Sequence, residues 1–289
     1  MTLDSSGTVL LALGEVDKPV FPRSSLKPLQ AVGMVRCGLS LASADLALAA
    51  ASHSGEPRHV GRVLELLSGA GLSGALACPR SLPLSEEAAD DVLRSGGGPT
   101  SEQMNCSGKH TAMLLTCQAA GWPTDGYLAP DHPLQVALRA TTEDLTGEPV
   151  AAVGVDGCGA PVFAVSLTGL ARSFARLVRA EPGSPERQVA DAMRAHPGLV
   201  GGTGRDVTRL MEAVPGLLAK DGAEGVYAAA TGDGAAIAVK IDDGAGRARV
   251  PVLIRELRRL GVAGGVLDEL AEAPVLGGGR RVGALEVAY

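Results

Sequence analysis

The chain has 289 residues, 46% hydrophobic but only 2% aromatic, and a formal net charge of -6. That length and apolar content predict one domain over residues 1–289 with a large core of Ala, Val and Leu. Net negative charge and few stacking side chains exclude a nucleic-acid surface. The start MTLDSSGTVLLALG has no basic n-region, and no run reaches the roughly 18 apolar residues of a membrane span, so a cytoplasmic protein without a membrane partner is expected. Five irregularly spaced cysteines then read as reduced thiols or a metal site rather than a disulfide framework.

In chain order, TVLLALG (8–14) reads as a strand. The stretch 24–36 has apolar residues at 26, 29, 32 and 35, which is helix spacing, with Pro28 tolerated in the first turn. Helical patterns follow over 43–52, 60–71, 85–97, 108–121, 133–147, 170–180, 185–196 and 250–261. Strand-like runs cover 149–155, 161–167, 225–232 and 235–242, the last two joined by a glycine-rich turn. Strands gather at the two ends with helices between them, which predicts a mixed α/β protein of the α+β type, with helices packed on an antiparallel sheet.

Chemistry is suggested first by the lysines: there are five, Lys18, Lys27, Lys109, Lys220 and Lys240, among 26 basic residues. Lysine, unlike arginine, becomes a neutral amine when desolvated or set beside another cation. In RSSLKP, Ser24 and Lys27 stand one helical turn apart, so a neutral amine there can activate a serine hydroxyl. A chance match is not rare, since a lysine has a roughly 6% probability of a serine three places before it in this composition. Lys220, in LLAKDGAEGVYAAATG, lies ahead of a strand run and also reads as a solvated strand end. NCSGKH places Cys106 and Lys109 at i and i+3, and Cys158 lies in VDGCGAP. Two buried thiols, or a soft cation such as zinc held by two thiolates and an amine, fit these residues. In SHSGEPRH the simplest reading is a helix N-cap by Ser54 with Glu56 in the first turn.

Taken together, RSSLKP, ASHSGEPRHV, NCSGKH, TDGY, PDHPLQ, GVDGCGAP, AKDGAEGVYA and VKIDDG resemble, in order and spacing, the asparaginase II family of rhizobial-type, class 3 L-asparaginases, over about residues 8–260. The resemblance implies a serine β-lactamase-like fold, a homodimer, and hydrolysis of L-asparagine to aspartate and ammonia. It implies two serine/lysine pairs, Ser24 with Lys27 and Ser52 with Lys220. It also implies a zinc ion held by Cys106, Lys109 and Cys158, with Asp156 close by. Relatives usually carry some two dozen further leading residues with another strand, so either the start is misassigned or the sheet lacks one edge member. The substrate's ammonium and carboxylate call for groups of opposite charge, for which Arg23, Asp156 and Arg205 are candidates. Backbone N–H groups of Ser24 and near Ala223 are candidates for an oxyanion site. A penicillin-recognising acyltransferase or β-lactamase would share the serine/lysine logic, and a binding protein that had lost turnover would share the pocket.

Overall fold

The computed structural model describes residues 1–289. Thr2–Leu3 (β1) and Val9–Leu11 (β2) form a short hairpin around Asp4, whose carboxylate accepts the backbone N–H groups of Ser6 and Thr8 at 2.8 and 2.9 Å. A 3-10 turn over Arg23–Leu26 runs directly into helix α1, Lys27–Arg36, with Pro28 in its first turn. The helical middle of the chain follows: α2 (Ser43–Ala49), α3 (Pro57–Gly69), α4 (Glu86–Arg94), α5 (Ser107–Ala120) and α6 (Pro133–Thr146). The hairpin of β3 (Ala152–Val155) and β4 (Pro161–Ala164) comes next, then α7 (Leu167–Arg179), α8 (Pro185–Ala195), α9 (Pro197–Val200) and α10 (Asp206–Ala213). The chain then lays down β5 (Leu218–Gly222), β6 (Val226–Ala230) and β7 (Ala236–Lys240), and closes with α11 (Arg249–Arg259), α12 (Gly265–Ala271) and the hairpin of β8 (Pro274–Gly277) and β9 (Arg280–Ala284).

The main sheet is antiparallel in the order β2-β1-β7-β6-β5, leaving β2 and β5 as its edges. Helices α7 and α11 pack on its strands, while α1, α2, α5, α6 and α8 pack on one another. A cluster of 64 buried apolar residues from Leu3 to Leu267 joins the two regions. The arrangement is the α+β class that the strand and helix order predicts.

Several elements differ from the sequence reading for physical reasons. Lys220 lies inside a strand, not ahead of one. Strand β5 reads LAKDG and all five of its residues are buried, its two central charges paired with each other, so no apolar alternation marks it. Helix α3 starts at Pro57 rather than residue 60, and its N-cap is Glu56, not Ser54. The Glu56 carboxylate accepts from the third helical residue while His59 Nδ1 accepts the Glu56 N–H at 3.1 Å. Ser54 instead donates to the carbonyl of Gly201 at 3.0 Å. The β8–β9 hairpin is exposed at every position, so it has no buried face to set a pattern.

Candidate active site

The centre of the site is the buried amine of Lys27, the first residue of α1. Its three N–H donors meet the carbonyl of Ala51 at 2.6 Å, Ser52 Oγ at 2.9 Å and Cys106 Sγ at 3.0 Å. Ser52 follows α2 in a strapped loop: its N–H donates to the carbonyl of Val200 and that of His53 to Asn105, each at 3.1 Å. Gly108 lets α5 approach α2, because a Cβ there would stand 2.5 Å from the carbonyl oxygen of Leu48. That approach carries Cys106 and Lys109 to the same pocket. Ser24, in the 3-10 turn one residue after Arg23, is half-buried, and its side chain makes no hydrogen bond.

Strand β5 forms the facing wall. Gly222 is needed there, since a Cβ would meet the carbonyl oxygen of Pro22 at 2.6 Å and Ser25 Oγ at 2.9 Å. Ser25 Oγ donates to the carbonyl of Lys220 at 3.1 Å, tying the serine turn to the strand. Lys220 is 0% exposed and bonds Asp221 twice, at its carbonyl (2.8 Å) and its Oδ1 (2.6 Å). Burial lowers the Lys220 pKa to about 8, with Asp221 acting against it and the charges of Lys27 and Arg205 acting with it. Asp221 is held as a carboxylate: burial pushes its pKa up, and Lys220, Arg205 and Arg249 outweigh that. Lys220 makes no hydrogen bond to Ser52; its amine faces Asp221 while Lys27 occupies the Ser52 hydroxyl.

Arg205, the N-cap of α10, donates to Asp221 Oδ2 at 2.7 Å and to the carbonyl of Ser52 at 3.4 Å. It therefore braces Ser52 and Lys220 from behind. Arg23 donates through Nε to Asp156 Oδ1 at 2.6 Å and through a terminal nitrogen pairs with Glu224 at 2.8 Å. These three line a cavity of about 400 Å³ with Phe21, Gly154, Gly157 and Val162. No protein acceptor takes the backbone N–H of Ser24 or of Ala223. Asp221 and Glu224 are the functional candidates missed in the sequence; the available signal was an acidic residue next to a buried strand lysine and another in the following turn, ahead of Gly225.

Cys158, in the β3–β4 loop, accepts a hydrogen bond from Lys109 Nζ at 3.2 Å. The interaction with Cys158, helped by Lys27 and Lys109 and opposed by burial, holds the Cys106 pKa well below the ordinary thiol value, and the same interaction pushes that of Cys158 up. Burial acts to lower the Lys109 pKa, but Cys158 and Cys106 outweigh it and raise it. Two sulfurs and one amine are a donor set suited to a soft divalent cation, and here the lysine ammonium supplies the positive charge that such a cation would bring. No cluster of three His, Cys, Asp or Glu side chains offers an alternative ligand set. His110 Nδ1 and the Tyr127 hydroxyl share a hydrogen bond at 2.7 Å, and His110 Nε2 is buried without a hydrogen-bond partner.

The L-asparaginase II family model matches residues 1–287 of the chain. No curated protein matches it. No helix is long and apolar enough to cross a membrane.

Proposed function

We propose a reaction for this chain from one premise: it belongs to the L-asparaginase II family, whose activity is that of an asparaginase-type amidohydrolase. Its substrate is L-asparagine. Ser24 Oγ attacks the side-chain amide carbon while its proton passes to Lys27, one turn along the same face. The C–N bond breaks as the nitrogen takes a proton and leaves as ammonia, and water then cleaves the aspartyl ester and restores the Ser24 hydroxyl.

The observation that carries this reading is the burial of the Lys27 amine at the first residue of α1, directly after the 3-10 turn that holds Ser24. Ser52, which accepts from Lys27, would relay a proton away from it, and Lys220, its pKa lowered to about 8 by burial, is an amine that readily gives up its charge. The free N–H groups of Ser24 and Ala223 are suited to the oxyanion that forms during attack. Arg205 is already committed to Asp221 and to the carbonyl of Ser52, so its role is to tie the Ser52 loop to strand β5 rather than to grip substrate.

Cys106, Lys109 and Cys158 would hold a zinc ion, which supplies fixed positive charge to offset the thiolates. Lys109 must release its proton on binding. A homodimer completes the reading and rests on the resemblance.

A second reading is favoured by one observation: it is Ser52, not Ser24, that accepts a hydrogen bond from Lys27. In that case Ser52 is the nucleophile. A coupled ammonia assay with asparagine, run beside nitrocefin turnover and calorimetry with aspartate, tests the activity. Ammonia release supports the amidohydrolase; nitrocefin turnover alone indicates a penicillin-recognising enzyme, and aspartate binding without ammonia indicates a binding protein.

A further inference from the structure

Arg23 and Glu224 are the only non-glycine residues with left-handed backbones, at φ 52° and 59°. Such a conformation is disfavoured for a residue with a side chain, and its persistence calls for a compensating function. The two strained residues meet side chain to side chain, at 2.8 Å, and both line the 400 Å³ cavity. One precedes Ser24; the other sits in the turn after the strand that carries Lys220.

The two carboxylates on Arg23 are not equivalent. Asp156 has a side chain only 10% exposed and also accepts the N–H of Gly157 at 2.9 Å, so it is fixed. Glu224 is 60% exposed and held by this ion pair alone, an interaction weak enough to be exchanged. A zwitterion is the chemical class that enters such a pair without leaving a charge unmatched: its carboxylate takes the guanidinium edge that Glu224 vacates, and its ammonium takes Glu224.

We propose that Glu224 is a specificity-determining residue that stands in for the substrate's α-carboxylate on Arg23 and, when displaced, binds the substrate's α-ammonium. The inference rests on the reading of the substrate as an α-amino acid amide, and it adds the selection of zwitterions over simple dicarboxylate or amide analogues. Asp156 keeps the other edge of Arg23 throughout, so the guanidinium does not swing as the partners change.

Calorimetry with L-aspartate and with succinate, which lacks the ammonium, tests this on the wild type, Glu224→Gln and Glu224→Gly. A charge-assisted hydrogen bond predicts that the wild type prefers aspartate by roughly 10- to 100-fold. Both variants should lose that preference through weaker aspartate binding, with succinate affinity kept or improved. Glycine adopts the backbone of position 224 freely, so that variant folds even where the glutamine variant does not. An equal preference in wild type and variants, or none in the wild type, overturns the proposal. A wild type that prefers aspartate yet releases no ammonia from asparagine sinks the amidohydrolase reading and leaves this one standing.

Discussion

Lys27 Nζ and Ser52 Oγ lie 2.9 Å apart although their residues are 25 positions apart in the chain. This contact joins the turn that carries Ser24 to the loop after α2. Because the lysine must accept a proton at some point in the cycle, Lys27→Arg is expected to lower kcat by about 10²–10⁴-fold. Ser52→Ala removes the relay and should lower kcat more than it changes KM. Steady-state kinetics on folded variants checks both, and near wild-type turnover in either variant contradicts the role assigned.

Turnover should rise with pH. Burial lowers the Lys220 pKa to about 8, so if the cycle needs this second amine neutral, the ascending limb of kcat/KM should centre near that value. Asp221→Asn removes the group that raises the Lys220 pKa and leaves burial, Lys27 and Arg205, so the limb should move to lower pH. The same buried pairing makes the substitution cost about 3–5 kcal/mol, and the profile belongs well below the variant's Tm. The folded pKa of Lys220 lies below its unfolded value, so this group's contribution to stability rises with pH between about 8 and 10.5. An unmoved limb in Asp221→Asn counts against Lys220 as the titrating group.

Gly222→Ala should separate the serine turn from β5. The added methyl meets the carbonyl oxygen of Pro22 and the Ser25 hydroxyl, so a loss of about 1–3 kcal/mol in urea unfolding is expected, along with reduced kcat. Unchanged stability would show that the turn does not depend on this close approach.

Glu224→Gly should raise stability by about 1 kcal/mol, because glycine adopts φ 59° without strain and the lost ion pair is exposed. The same variant should discriminate substrates poorly, a trade between stability and function that thermal unfolding and binding measure together.

Zinc should remain with the purified chain at about one equivalent. Cys158→Ser should lose it and lower Tm, and the metal should be released on acidification as the ligands take up protons. Metal analysis of wild type and variant at neutral pH checks this; equal zinc content in the two removes Cys158 from the ligand set.

The sequence made the chemistry more legible than its assembly. Ser24 and Lys27 stand out in the sequence because arginine cannot replace a lysine that must lose its proton, but the helix expected over 24–36 begins at Lys27, and Ser24 lies in the 3-10 turn before it. The Lys27–Ser52 contact was not legible. It depends on the closeness of α5 and α2 at Gly108 and on the straps from Ser52 and His53 to Val200 and Asn105, none of which leaves a periodic trace. The Arg205–Asp221 pair was not legible either, because Asp221 lies in a strand whose charged centre leaves no apolar alternation. The hairpin of β6 and β7 was legible, since apolar runs joined by a glycine turn specify it locally. Glu224 was not, because an acidic residue in a turn looks solvated until Arg23 is found facing it.

The most direct test is to quench wild-type enzyme with acid during turnover of labelled asparagine and map the labelled peptide by mass spectrometry. An aspartyl ester on the Ser24 side chain, absent from Ser24→Ala, is the expected result. Label on Ser52, or turnover by Ser24→Ala at the wild-type rate, would contradict it.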